Sequence, residues 1–408
     1  MDILYLHQYF ATPESNAGTR SYEMARRLVK NSHNVTFVTS SAFFSDNYNL
    51  RKGWNLIEID GIKLHVLHLN YSNKDSFLKR ILKFINFSIR STLKSLSIKA
   101  DVVFATSTPL TIAIPGIIYS KLKSVPMVFE VRDLWPELPI AIGAIKNPFV
   151  IKIAKWLELF AYKSSKRLVG LSPGMCDGIV RTGIESERVI LATNSCDTAL
   201  FDVEPNVGNI YRTEKLSFVG QRKLVVYTGT FGVINNVKYM VDIAHAALEA
   251  NMHLCFVAIG DGMQKNDVLA YAKEKGVLGI NFYVLEPVPK TEIVSLLSAA
   301  DLALSLFGPI KEMWHNSANK LFDALAAGTP IAINYGGWQH ELIQKNQCGI
   351  VLDANNFSKS AALLNEFLFD DDKYQNAKMS CRHLAYNEYS RDIMASKLES
   401  ALLQAVND

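Results

Sequence analysis

Three residues near the end of the chain, Asn319, Lys320 and Asp323, have the types and spacing to hold an anionic ligand. Residues 320–327 are good helix formers, and Gly328 with Pro330 ends the run as a C-cap followed by a breaker. Ser317 or Asn319 is expected to cap the start. The first turn of a helix offers free backbone N–H groups and the positive end of the helix dipole, so a lysine there completes an anion site. Asp323 falls one turn further on the same face, where its carboxylate can accept from a ribose diol. Amides and a cation for phosphate beside an acceptor for ribose suit a nucleotide diphosphate. An ordinary capped helix packed on a sheet would show the same residues, and the stretch alone does not separate the two.

Two glycine turns precede this helix. Gly229, Thr230 and Gly232 stand between a strand and a helix, where the backbone can approach a phosphate with amides aimed at it. Gly260 and Asp261 close the next strand in a Gly-Asp-Gly turn and would sit on the same edge of a parallel sheet. Neither turn is a Walker loop, since no Gly-Lys-Ser/Thr follows. A second constellation lies in the first half. There a buried strand runs into Arg132 and Asp133, with Trp135 beside them. Charges at the carboxyl end of a parallel strand stand where a ligand is expected, and an indole suits stacking on a sugar; an Arg–Asp pair that merely fixes the loop is the alternative. Gly18 and Thr19 lead from the first loop into a helix, and Gly18 serves either a tight turn or a ligand's approach.

The elements that must position these residues alternate. Strand patterns at 3–6, 35–39, 102–105, 127–131, 168–171 and 189–192 are interleaved with helical patterns at 20–30, 110–122 and 150–166. Strands recur at 223–227, 254–259, 280–285, 302–306, 330–334 and 349–352, with a helix at 238–249. This order predicts two doubly wound α/β units with parallel sheets. Residues 193–221 are rich in turn formers and are expected to link them, giving domains of about 1–200 and 201–388. An amphipathic helix over 389–406 is expected to cross back and brace the first domain.

A length of 408 residues favours two domains, and 49% hydrophobic with 20% charged residues is ordinary for a globular protein. A net charge of +4 does not argue for nucleic acid as a partner. Five scattered cysteines form no Cys-x-x-Cys pair, which speaks against a disulfide framework or zinc and for a reducing compartment. The opening residues lack a basic leader with a long apolar run, so no signal peptide is expected, and no stretch reads as a membrane span. Asp370-Asp371-Asp372 reads as a solvated acidic turn, no Asp-x-Asp pair follows a strand, and the nine histidines lack ligand spacing. No cofactor and no metal are expected. Residues 74–99 carry seven cations against one acid, Asp75, with apolar residues at helical spacing. Such a helix either lies on an anionic membrane surface or packs its apolar side on its own domain.

Over essentially its whole length the chain resembles a glycosyltransferase of the GT-B fold, family 4. The resemblance rests on Ala17-Gly18-Thr19-Arg20, the run from Phe129 through Arg132-Asp133-Leu134-Trp135-Pro136-Glu137, and Ser172-Pro173-Gly174-Met175. It extends through Asn194-Ser195-Cys196-Asp197 with Phe201, Tyr227-Thr228-Gly229-Thr230-Phe231-Gly232, Ile259-Gly260-Asp261-Gly262 and 320–330. The Arg-Asp-Leu-Trp-Pro-Glu form is similar to a branch that builds bacterial surface polysaccharides, including WbuB-like N-acetyl-L-fucosaminyltransferases of O-antigen assembly. The resemblance implies two Rossmann-like domains facing across a cleft and a retaining transfer from a nucleotide diphosphate sugar, with a UDP-linked N-acetylated amino sugar favoured and a GDP-linked fucosyl or mannosyl donor as the alternative. It also implies a glycan acceptor on a lipid diphosphate and a cytoplasmic enzyme peripheral on the inner face of the plasma membrane. It places Asp133 near the donor sugar, Lys320 on the diphosphate and Asp323 on the second acid of a Glu-x7-Glu motif. Gly18 joins the donor side, while Thr19, Arg132 and Trp135 fall on the acceptor side. The sequence departs from the pattern at His315, which stands in the place of the first acid with Glu312 nearby, and at Phe231 and Asn235-Asn236, where Arg and Lys are usual.

Overall fold

The computed structural model describes residues 1–15, 18–45, 48–69 and 77–408, and of Phe77 and Leu78 the backbone alone. Ala17 of the first motif, and Lys74 and Asp75 of the basic stretch, lie outside the described residues. Two compact units make up the chain: Met1–Thr193 with Arg391–Asp408, and Asn194–Ser390. The changeover at 193/194 falls earlier than a boundary near 200, and part of the turn-rich stretch after it is helical.

The first unit begins β1 (Asp2–Leu6), α1 (Arg20–Lys30) and β2 (Asn34–Ser40). A hairpin of β3 (Trp54–Ile59) and β4 (Ile62–Leu67) follows, then α2 (Phe77–Ser95). The rest is β5 (Val102–Thr106), α3 (Ala113–Lys123), β6 (Met127–Val131), α4 (Glu137–Ala141), α5 (Pro148–Ser164), β7 (Arg167–Gly170), α6 (Pro173–Arg181) and β8 (Val189–Leu191). The strands form one sheet in the order β3-β4-β2-β1-β5-β6-β7-β8. All pairs are parallel except β3 with β4, which corrects the expectation of a wholly parallel sheet. Asp60 and Gly61 join them with φ of 49° and 76°, the left-handed pair that a two-residue hairpin turn requires.

The second unit runs α7 (Val207–Lys215), β9 (Lys223–Thr228), α8 (Lys238–Glu249), β10 (Leu254–Ile259), α9 (Lys265–Glu274) and β11 (Phe282–Leu285). It continues with α10 (Lys290–Ala299), β12 (Leu302–Ser305), α11 (Asn319–Ala327), β13 (Ile331–Ile333), α12 (Trp338–Asn346) and β14 (Gly349–Val351). Helices α13 (Phe357–Phe369) and α14 (Asp371–Asn387) close it. Asp370 is the N-cap of α14, its side chain accepting from Lys373 N, so the acidic triplet starts a helix. The parallel sheet has the order β11-β10-β9-β12-β13-β14.

Helices cover both faces of each sheet, which is why β5 and β10 are buried along their full length and read as continuous apolar runs. In each sheet the strand order reverses once, between β1 and β5 and between β9 and β12. The loops leaving the carboxyl ends there diverge to opposite faces and leave room for a ligand. The final helix, α15 (Arg391–Asn407), packs on α1 and β7 within the first unit. Arg391 reaches Glu23 at 2.8 Å and Arg27 reaches Asp392 at 2.6 Å. Among the described residues no helix is long and apolar enough to cross a membrane.

Candidate functional site

In the second unit the loop after β9 is strapped to the loop after β10. Gly229 N donates to Ile259 O at 2.9 Å, Phe231 N to Asp261 O at 2.9 Å, and Gln264 N to Phe231 O at 2.9 Å. The approach demands glycine: a Cβ at Gly260, whose φ is +151°, would lie 1.8 Å from Gly229 O. Phe231 anchors the loop, fully buried edge-on to Tyr227, and the Tyr227 hydroxyl donates to Thr230 O at 2.8 Å. Of the amides expected to face a phosphate, that of Gly229 is spent on a carbonyl, as is that of Phe231. Those of Thr230 and Gly232 have no partner among the described residues. The Asp261 carboxylate is turned onto its own loop, accepting from Gly262 N at 2.8 Å.

Lys320 lies across this loop. A Cβ built on Gly229, where φ is +140°, would fall 2.8 Å from Lys320 Cε and 3.0 Å from Nζ. The ammonium stands 5.2 Å from the centre of the Tyr227 ring. Burial pulls the Lys320 pKa down to about 8, against an upward push from Asp323. Asn319 opens α11 and is exposed. Neither it nor Ser317 caps the helix: Ala318 holds the cap position and no side chain bonds the first amides; Leu321 N turns to Ala318 O at 3.2 Å, and those of Asn319 and Lys320 have no partner among the described residues. Ser317 is drawn away because its hydroxyl accepts from Asn194 N at 3.1 Å while Asn194 Nδ2 donates to Ser317 O at 2.6 Å. Asp323 is ion-paired with Lys290, which no motif in the chain marks out. Glu312 and His315 fall in a short 3-10 turn, with Glu312 exposed and His315 half-buried. Asn334 grips Phe307 N and O on the loop leading there, at 2.9 and 3.0 Å.

In the first unit, Arg132 and Asp133 leave β6 beside the ends of β1 and β5. The Arg132 amide donates to Ser107 Oγ at 2.9 Å, and its guanidinium meets His7 Nε2 at 3.4 Å. Ser21 Oγ holds the other face of that imidazole, at 2.8 Å from Nδ1. Burial, with Arg132 adding, pushes the His7 pKa well down, so the ring is neutral. Asp133 accepts from Thr108 Oγ1 at 3.2 Å; burial pushes its carboxyl up, and Arg132 and Thr108 oppose the rise. Trp135 is half-buried against the unit's core. Gly18 is exposed, and Thr19 stands at the start of α1, where its hydroxyl accepts from Arg391 at 3.3 Å. His7, Ser21 and Thr108 belong to this cluster although no motif marks them; the sequence signal for His7 is its place at the carboxyl end of the first strand.

Two neighbours in the motifs are structural. Arg20 donates to Glu130 Oε1 from Nε and Nη2 at 3.1 and 2.9 Å, and to the carbonyls of Ala192 and Thr193 at 2.8 and 2.5 Å. Thr106 Oγ1 completes the carboxylate at 2.7 Å. Among the described residues no cluster of three or more His, Cys, Asp or Glu is placed to hold a metal ion.

Residues 17–194 match the family of glycosyl transferase 4-like domains, and residues 212–383 match glycosyl transferases group 1. Between them these matches take in most of the chain, which is therefore a glycosyltransferase built from those two domain types. Among its relatives, the alpha-maltose-1-phosphate synthase of Mycolicibacterium smegmatis is 24% identical over 67% of this chain and 72% of that protein. The Escherichia coli UDP-Gal:alpha-D-GlcNAc-diphosphoundecaprenol alpha-1,3-galactosyltransferase is 23% identical over 76% of each. Among solved structures, Anabaena HepE in complex with UDP and glucose covers 99% of this chain and 100% of its own, with 15% identity and a TM-score of 0.74. WaaG, a glycosyltransferase involved in lipopolysaccharide biosynthesis, covers 98% of each chain with 16% identity and a TM-score of 0.69. These likenesses establish the two-domain α/β GT-B fold.

Proposed function

We propose that the protein is a retaining glycosyltransferase that moves a sugar from a UDP-linked donor to a saccharide carried on a lipid diphosphate, in the assembly of a bacterial surface polysaccharide. The observation that carries the reading is Lys320 lying across Gly229, next to two unpartnered amides and an uncapped helix start. That is a cation with fixed donors on one small surface, suited to a diphosphate without a metal ion. The donor's base is read from the E. coli relative and from HepE, whose names specify UDP-Gal and UDP. The lipid diphosphate is read from the diphosphoundecaprenol in the relative's name. The favoured donor sugar, an N-acetylated amino sugar such as N-acetyl-L-fucosamine, rests on the Arg132-Asp133-Leu134-Trp135-Pro136 motif.

In this scheme the acceptor hydroxyl attacks the anomeric carbon on the face the diphosphate leaves. The carbon–oxygen bond to phosphate breaks as the new glycosidic bond forms, and the acceptor's proton passes to the departing phosphate oxygen. Lys320 and the amides of Thr230 and Gly232 carry the charge that grows on that oxygen. Asp323 accepts from the ribose diol. Asp133, held by Thr108, orients the reacting sugar. Lys320→Ala is expected to abolish UDP binding in calorimetry and to lower donor turnover at least 100-fold. Asp133→Ala is expected to keep UDP binding and lose turnover. Near-normal turnover in either variant removes that residue from the scheme. A thermal-shift panel of nucleoside diphosphates and their sugars, UDP and GDP forms side by side, tests base and sugar together.

We infer also that the first unit rests on an anionic membrane surface. On α2, Leu82 and Leu93 are 65% and 68% exposed, with Ile85 and Ile89 between them on one stripe. Lys79, Lys83, Arg90 and Lys94 flank the stripe, and the helix holds no acid. On α5, which like α2 packs against α3, Phe149 and Trp156 are 70% and 61% exposed beside Lys152 and Lys155. Apolar side chains ringed by lysines gain both from burial in the headgroup region and from negative lipid charge.

A further inference from the structure

Lys290 opens α10 directly after a Pro-Val-Pro segment, and its ammonium is ion-paired with the Asp323 carboxylate. It also stands 5.7 Å from the centre of the Phe201 ring. Asp323 lies three residues after Lys320 on α11 and acts on it electrostatically. Among the described residues, however, no carboxylate is within ion-pair distance of Lys320. One carboxylate thus stands near two ammonium groups and is bonded to one of them.

We propose that Lys290 is a positioning residue that engages Asp323 and so leaves the Lys320 ammonium uncommitted for the donor's diphosphate. The inference rests on the role given to Lys320 above. Three residues apart on a helix, Lys320 and Asp323 are natural partners for each other. Without Lys290 the carboxylate turns to Lys320, neutralises part of its field and stabilises its charged form. A diphosphate arriving at that lysine must then compete with a resident anion. Among the described residues, Lys320 meets Asp323 on its own helix, which is itself paired with Lys290 from α10, and the Tyr227 phenol from β9. Burial pushes that phenol up, so it stays neutral and offers only its ring.

The test is UDP binding by calorimetry from about pH 6.5 to 9.5 on the full chain. Lys290→Met, and Lys290→Gln should the first variant not fold, is expected to weaken UDP binding at neutral pH by about fivefold or more. It is also expected to move the alkaline midpoint of binding upward by about half a pH unit. Lys290→Arg, which keeps the charge, retains the wild-type midpoint. Asp323→Asn moves the midpoint downward, and in that background Lys290→Met has no further effect on it. A purely structural lysine would change affinity without moving the midpoint. An unmoved midpoint in Lys290→Met, or a shift that persists with Asp323→Asn, overturns the proposal. Failure of the reading beneath it is separate and visible in Lys320→Ala, which would then bind UDP like the wild type.

Discussion

At the scale of single residues, the site in the second unit turns on a lysine made weakly basic by its surroundings. Lys320 is charged below about pH 8 and loses its proton above it, because burial disfavours the ammonium. If it holds the diphosphate, kcat/KM for the donor is expected to fall as pH rises through about 8. The limb in kcat lies higher, since a bound anion restores the charge. A flat pH profile of kcat/KM from 7 to 9.5 would remove Lys320 from the diphosphate. Gly229 is the partner this lysine needs. Gly229→Ala places a methyl where Cε and Nζ now lie and strains a φ of +140°. It is expected to raise the donor KM about tenfold or more, with the melting temperature measured alongside to separate the two effects.

At the scale of elements, the first unit is tied together by a buried ion pair. Arg20 at the start of α1 meets Glu130 on β6, and the same guanidinium bonds the chain at Ala192 and Thr193. Burial alone would raise the Glu130 carboxyl, but Arg20, with Arg132 and Thr106 assisting, outweighs it and holds it below its usual range. A carboxyl lowered in the folded state stabilises above its unfolded pKa, and that stability is lost as pH falls through the folded value. The pair is therefore intact at neutral pH and weakens in acid. Glu130→Gln leaves a buried guanidinium without its counter-charge, at a cost of about 3–5 kcal/mol. The expected result is a fall of about 10 °C in the melting temperature of the first unit, followed by circular dichroism. An unchanged melt would show the pair to be dispensable.

At the scale of the whole molecule, the exposed stripes on α2 and α5 predict a surface association governed by charge. Vesicles with about 30% anionic lipid are expected to sediment the protein, neutral vesicles to leave it in solution, and about 0.5 M salt to release it. Trp156→Ser with Phe149→Ser is expected to weaken vesicle binding several-fold while UDP binding stays as in the wild type. Equal binding to both vesicle types, or none, defeats the charge-driven surface. The C-terminal helix acts at this scale too. Although α15 follows the second unit in sequence, Arg391, Asp392 and Glu399 anchor it to Glu23, Arg27 and His33 of the first.

Periodicity alone determined much of the architecture. β6 and β10 coincide with their predicted ranges, and α1 and α8 likewise, because strands covered on both faces and helices covered on one carry strong local patterns. The β3–β4 hairpin is as legible, through Asp60-Gly61 between alternating strands, but it departs from the parallel βαβ order that the rest of the chain follows. That the glycine turns at 229 and 260 fall on one edge of a parallel sheet was legible in the sequence, because each closes a strand of an alternating strand–helix run. Only the folded chain decided which amides of that loop remain open, that Ser317 is taken by Asn194, and that Asp323 is engaged by Lys290. Those are pairings between residues far apart in sequence. A hydrogen bond or ion pair across such a gap leaves no periodic trace in the chain, and is set only when packing brings its two ends within about 3 Å.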